Sequence, residues 1–96
     1  MMKKIDKYIE QVKEEVQDAM HYAERYVMFK NTRPQFARMY HEMAENELMH
    51  SDYLCTIGQT MIDEFAYTPE DDLDAWDAMV AHTAEQKAIV KLMLSK

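Results

Sequence analysis

Apolar positions recur along this chain at intervals of three and four residues, in three stretches separated by Pro34 and Pro69. In the first stretch Ile5, Ile9, Val12, Val16, Ala19, Ala23 and Tyr26 follow spacings of 4, 3, 4, 3, 4 and 3, the seam of a bundle helix. A flanking stripe repeats every seven residues: Tyr8, Glu15, Tyr22, Phe29. It sets one carboxylate among three aromatics on the edge of the buried face. In the second stretch the seam reads Phe36, Tyr40, Met43, Glu47, His50, Leu54, Ile57, Met61. This pattern predicts that Glu47 and His50 hold its two central positions and point inward. The third stretch has two stripes, Leu73-Trp76-Val80-Thr83-Lys87-Val90-Leu94 and Met79-His82-Gln86-Ile89-Met93. Such a helix packs on more than one neighbour.

The pattern predicts helices over about 3–30, 33–65 and 69–94. Asn31 to Gln35 forms the first turn, with Thr32 capping the second helix and Gln35 completing a capping box. That helix runs to about Glu64 or Ala66, and Gly58 marks a kink or an early end. Thr68 caps the third helix, Pro69 takes its first position and Glu70 and Asp71 fill its first turn. One glycine, ten methionines and six tyrosines leave few strand formers, so the composition is all-α. At 96 residues the chain reads as a single domain, 1–96, with a modest core that association would enlarge. Short connections make sequential helices antiparallel neighbours, a helical hairpin plus a third helix.

Charge narrows the function classes. The net charge is -7, with 8 basic and 6 acidic residues in 1–38 against 3 and 12 in 39–96. No basic patch with interleaved aromatics is present, which argues against nucleic acid. The acidic surface suits solubility and cation attraction. Cys55 is the single cysteine, which excludes an internal disulfide and a Cys-x-x-Cys metal site; its apolar neighbours suggest a buried thiol. No stretch reaches transmembrane length, so no membrane partner is expected. Met1-Met2-Lys3-Lys4 leads into charged helix rather than a signal-type apolar run, and a cytoplasmic setting is the expectation.

Three inward polar groups stand out: Glu15, Glu47 and His50. Residues three apart on a helix project side by side, and an inward carboxylate and imidazole need a partner when buried. Glu15 lies 17 residues before Thr32 and Glu47 lies 15 after it. In an antiparallel hairpin both carboxylates therefore stand at nearly one height. A lone seam histidine or glutamate is ordinarily a satisfied core or wet-edge residue. Three agreeing patterns favour a metal ion here instead, and mixed nitrogen and oxygen donors suit iron or manganese. Di-iron carboxylate bundles take one Glu from each of two helices and a Glu-x-x-His from each of the other two. One chain supplies half of that set and a two-fold dimer supplies all of it. Asp18 and His21 form a second acid-x-x-His pair, on the polar side of the first helix. His82 with Glu85 could approach from the third. Glu24, Glu42 and Glu45 read as solvated charges, and Tyr22, Tyr40 and Met43 as packing.

These residues resemble the ferritin-like superfamily, specifically its rubrerythrin-type helix pair. Ala44-Glu45-Asn46-Glu47-Leu48-Met49-His50 looks like the second-helix Ala-Glu-x-Glu-x-x-His signature, and Glu15 with Tyr22 looks like the first-helix Glu and Tyr. The match covers roughly residues 12–57. The half-bundle plan is also similar to encapsulated ferritins, whose iron site forms between subunits, and to small ferritin-like proteins of prophage regions. The resemblance implies a di-iron site, with manganese or zinc as substitutes, and oxidation of Fe(II) by oxygen or peroxide. It implies ligands at Glu15, Glu47 and His50, with Glu47 bridging, and a homodimer or higher oligomer. The chain departs from the pattern in three ways. The third helix has no second Glu-x-x-His, no rubredoxin-like cysteine cluster is present, and nothing after Tyr67 matches an encapsulin-targeting tail. The alternative is a non-catalytic helical module, phage- or scaffold-associated, whose Glu-His pair is vestigial.

Overall fold

The computed structural model describes residues 3–65 and 68–96, and these form three helices, α1 (Lys3–Phe29), α2 (Pro34–Glu64) and α3 (Glu70–Leu94). Among these residues there is no strand, and no helix is long and apolar enough to cross a membrane. The molecule measures 53 × 17 × 16 Å. A helix of 31 residues is about 46 Å long at about 1.5 Å per residue, so the bundle is one helix long.

The helix ends differ from the sequence expectation in their caps. Backbone N–H groups of Thr32 and Arg33 donate to Phe29 C=O and close α1. Arg33, not Thr32, then occupies the N-cap of α2, at φ -135 and ψ 75, with Pro34 behind it and no side-chain cap bond. The proline ring disfavours helical backbone in the residue before it, so the break falls at Arg33 and the capping box does not form. At α3 the N-cap is Pro69, at φ -54 and ψ 141, one position later than expected, and Thr68 makes no cap. The Pro69 carbonyl accepts from Asp72 and Leu73 N–H. Glu70, Asp71 and Asp72 fill the first turn and Lys91 the last, charges of the right sign for the helix dipole. α2 ends at Glu64; the expected extension to Ala66 lies outside the described residues.

Contacts between aromatic rings fix the sense of packing. Phe29 meets Phe36, Tyr26 meets His41 and Tyr22 meets Tyr40, so α1 and α2 run antiparallel. The α1 seam is buried as expected: Ile5, Ile9, Val12, Val16, Ala19 and Ala23. It supplies both halves of the core. One half adds Ile62, Trp76 and Met79; the other adds Ala44, Leu48, Val90 and Leu94. On α3, Val90, Leu94, Thr83 and Trp76 are buried from one expected stripe but only Met79 from the other, while Val80 and Ile89 are exposed.

α3 lies mainly along α1, and its backbone nears α2 at few points. Three polar side-chain links bridge that gap. His41 Nε2 lies 3.1 Å from Leu94 O, Lys87 Nζ donates to Asp52 at 2.8 Å, and Trp76 Nε1 donates to Gln59 at 2.9 Å. α2 runs through Gly58 without ending. A Cβ at Gly58 would stand 2.2 Å from the Trp76 ring, so this glycine seats the indole instead of breaking the helix.

The buried face of α2 is the largest correction. It comprises Ala37, Ala44, Leu48, Ser51, Gly58 and Ile62, about 90° around the helix from the expected seam at ~100° per residue. Phe36, Met43 and Ile57 are 39–45% exposed. Four of its six residues are small, Ala37, Ala44, Ser51 and Gly58, the last making room for Trp76 of α3; the bulky stripe is left on an open edge.

Candidate metal centre

α1 and α2 bring Glu15, Glu47 and His50 together on that open edge. One donor atom from each lies within 4.8 Å of the other two, and they form the one such group of three among the described residues. His50 Nδ1 is 3.6 Å from Glu47 Oε1 and 3.7 Å from Glu15 Oε2, too long for hydrogen bonds. The expected inward direction is therefore met only in part. The Glu15 and Glu47 side chains are 28% and 20% exposed, but His50 is 51% exposed. The cluster lies in the seam between two helices, with its histidine on the rim.

Its electrostatics are unbalanced. Glu15 Oε2 is sealed from solvent and has no hydrogen-bond partner, although buried acceptors are nearly always satisfied. Burial first, and then the neighbouring Glu15 carboxyl, push the Glu47 carboxyl up from 4.5 to about 7; Asp18 adds to the rise and His50 opposes it. Two close carboxylates resist sharing charge unless a cation or a proton intervenes.

The donor set fits a divalent first-row ion. Two ligands at about 2.2 Å from one ion span at most ~4.4 Å, close to the spread observed here. A cation would also satisfy the orphaned Glu15 oxygen. Three ligands leave coordination positions open, so the set from one chain is incomplete for iron.

The other sequence candidates stay apart. Asp18 and His21 are exposed on α1, and His82 and Glu85 are exposed on α3; none joins the group. Tyr22 and Tyr40 face each other at 6.1 Å, and Tyr40 stacks on Phe29 at 5.9 Å. Arg25 donates to the Tyr40 hydroxyl at 3.3 Å. Each tyrosine stands one heptad from Glu15 or Glu47, about 10 Å along the helix, so both pack above the cluster. Beyond them Phe29, Phe36, Met39, Tyr40 and Met43 line an open recess of about 350 Å³; a second, lined by Tyr8, Gln11 and Met61, lies past the other end.

Sequence reasoning missed His41. Its Nδ1 lies 3.2 Å from Glu45, its Nε2 3.1 Å from Leu94 O, and its ring meets Tyr26 edge-on. Glu45, expected as a free solvated charge, is exposed but paired. The i,i+4 spacing of His41 and Glu45 was the available signal. Cys55, expected as buried, is half-buried, and burial raises its thiol pKa.

Compared with protein-family models, curated proteins and solved structures, the chain finds no match in any of the three.

Proposed function

We propose that this chain is a ferritin-like metal-binding protein whose Glu15, Glu47 and His50 form half of a di-iron centre, the other half coming from a second copy. The observation that carries the reading is the meeting of two carboxylates and an imidazole at mid-bundle, with one carboxylate oxygen buried and unpartnered. Glu47 leans on both other ligands and is the bridging candidate; Glu15 and His50 complete the set. Bound iron would supply one-electron chemistry, each Fe(II) giving an electron to oxygen or peroxide. The protein's part is to hold anionic oxygen donors in a partly dry seam, which favours the higher oxidation state. Manganese and zinc suit the same donors, and a cytoplasmic setting belongs to the same reading.

A second reading is a non-catalytic helical module with a vestigial site. The exposed Phe36, Met39 and Met43 side chains favour it, since such stripes serve association whether or not metal binds. One experiment separates the two. Fe(II) is added in air while near-ultraviolet absorbance and bound metal are followed. The di-iron reading expects rapid ferric absorbance at one iron per chain, lost in the Glu47→Ala/His50→Ala double variant with helicity intact. No bound metal in the unmodified protein, or equal binding by the double variant, favours the module.

A further inference from the structure

We infer that Met43 is a modification site: its thioether takes an oxygen atom from peroxide formed at the Glu15–Glu47–His50 cluster and becomes the sulfoxide. The inference rests on the iron reading above and names a residue that reacts beside that site.

Methionine is plentiful in this chain, ten in 96 residues. Among the described residues Met28, Met39, Met43 and Met49 are 39–64% exposed. Peroxide converts a thioether to a sulfoxide, so exposure alone makes all four targets. Position separates them. Met43 lies four residues before Glu47 and seven before His50, about 40° and 20° around α2 from them at ~100° per residue. Side chains four apart on a helix stand about 5–6 Å apart at Cβ, so the Met43 thioether is next to the cluster and on its side. Met49 is closer to both ligands in sequence, but it points about 100° away from His50 and about 160° away from Glu47. It lines a recess on the α3 side with Lys91 and Leu94. Two thioethers of nearly equal exposure, 39% and 42%, therefore flank one helix, one beside the ligands and one turned from them.

The other described sulfurs are worse placed. Met79 is buried. Met20 and Met93 pack against the core half built on Ala19, Ala23 and Val90, and Met61 lies about three turns past His50. Cys55 packs against the core half that holds Trp76 and lines a recess with Trp76 and Val80. Burial raises its thiol pKa, and the protonated thiol is the less reactive form. Met39 shares the recess of Phe29, Phe36, Tyr40 and Met43, but it stands one turn farther from the ligands.

The step conserves atoms and electrons. Oxygen accepts one electron from each of two Fe(II) ions and two protons from solvent, giving hydrogen peroxide. The O–O bond then breaks as one oxygen atom bonds to Met43 Sδ. The other oxygen leaves as water, and the sulfur has lost two electrons. The sulfoxide is polar and sits among the rings of that recess, so turnover leaves a polar mark on an apolar stripe.

A sulfoxide map of the full chain tests this. The protein is loaded with Fe(II) without oxygen and its bound iron is counted. Air is then admitted in the presence of catalase, which destroys peroxide that reaches bulk solvent, and peptide mass spectrometry reads each methionine. Sulfoxide at Met43 should exceed that at Met49 by at least about fivefold, although simple exposure predicts parity. Iron-free chain given hydrogen peroxide supplies the baseline: Met43 and Met49 should react within about twofold of each other, behind Met28 and Met39. In the Glu47→Ala/His50→Ala variant, given iron and air, the preference should vanish. Equal oxidation of Met43 and Met49 in the iron-loaded protein overturns the inference, as does an equally strong Met43 preference without iron. Iron bound and oxidised with no excess at Met43 overturns this inference alone. A chain that binds no iron overturns the reading beneath it, and this inference with it.

Discussion

Glu15 Oε2 and His50 Nδ1 stand 3.7 Å apart, beyond hydrogen-bond reach, although the oxygen is closed off from water. Side chains from two helices thus converge without completing one another. An arrangement of this kind is destabilising in the metal-free fold and relieved by a cation, so ligand removal should act with opposite signs on stability and binding.

Glu47→Gln is the direct check. Above about pH 7, where the Glu47 carboxyl is ionised, it removes the charge that opposes Glu15 and keeps the shape. The metal-free melting temperature should rise by a few degrees, on the scale of about 1 kcal/mol for a domain of this size. Zn(II) and Fe(II) affinity should fall at least about tenfold. A variant that melts lower and binds equally well would show the cluster to be structural.

The Glu47 carboxyl sets the pH dependence. Its folded value of about 7 lies above the unfolded 4.5. Between those values the folded chain holds a proton that the unfolded chain has released, so metal-free stability is full below about pH 4.5 and declines as pH rises to about 7. Metal must displace that proton. Apparent Zn(II) affinity should therefore climb by up to about tenfold per pH unit below 7 and level off above it. Titrations at pH 6.0, 6.5 and 7.5 read this; a flat profile contradicts it.

Packing about three turns along α2 from Glu47 gives a separate check. Gly58→Ala places a methyl group 2.2 Å from the Trp76 ring, and Trp76 is fully buried. Overpacking of this kind typically costs about 1–3 kcal/mol. Thermal unfolding should show the loss, while metal affinity should stay within about twofold because the cluster lies elsewhere on α2.

His41 should act locally. His41→Ala removes the contacts to Glu45 and Leu94 O and costs about 1 kcal/mol. Amide exchange should quicken in the last two turns of α3 and stay unchanged around Glu15. Uniform quickening along all three helices would mean that the link is global.

The parts of the fold that the sequence shows best are those built from large side chains in register. The α1 seam was legible because its residues are apolar and buried at every step from Ile5 to Ala23, with Tyr26 half-buried at its end. The α2 seam was not. Phe36, Met43 and Ile57 carry a stronger hydrophobic signal than Ala37, Ala44, Ser51 and Gly58, yet the small residues are the buried ones. Seating Trp76 demands a small residue at Gly58, a requirement that hydrophobic periodicity does not record. The cluster was legible despite that error because its signal was spacing: Glu47 and His50 lie three apart and Glu15 stands at their height, whichever face is buried. His41 was missed because its partner is a backbone carbonyl 53 residues away. The cap errors share one cause, the weight given to Thr32 and Thr68 over the backbone demands of the prolines beside them.

The position of α3 limits how far such chains can assemble. An α1–α2 hairpin alone would offer a sticky face on each side, and an object with two sticky faces can add neighbours without end. α3 covers one face through the α1 seam and leaves the other open. On the proposed shared-site reading, one partner copy would fill that face. The helix that contributes nothing to the cluster would then be the one that keeps it from becoming the repeat unit of a filament.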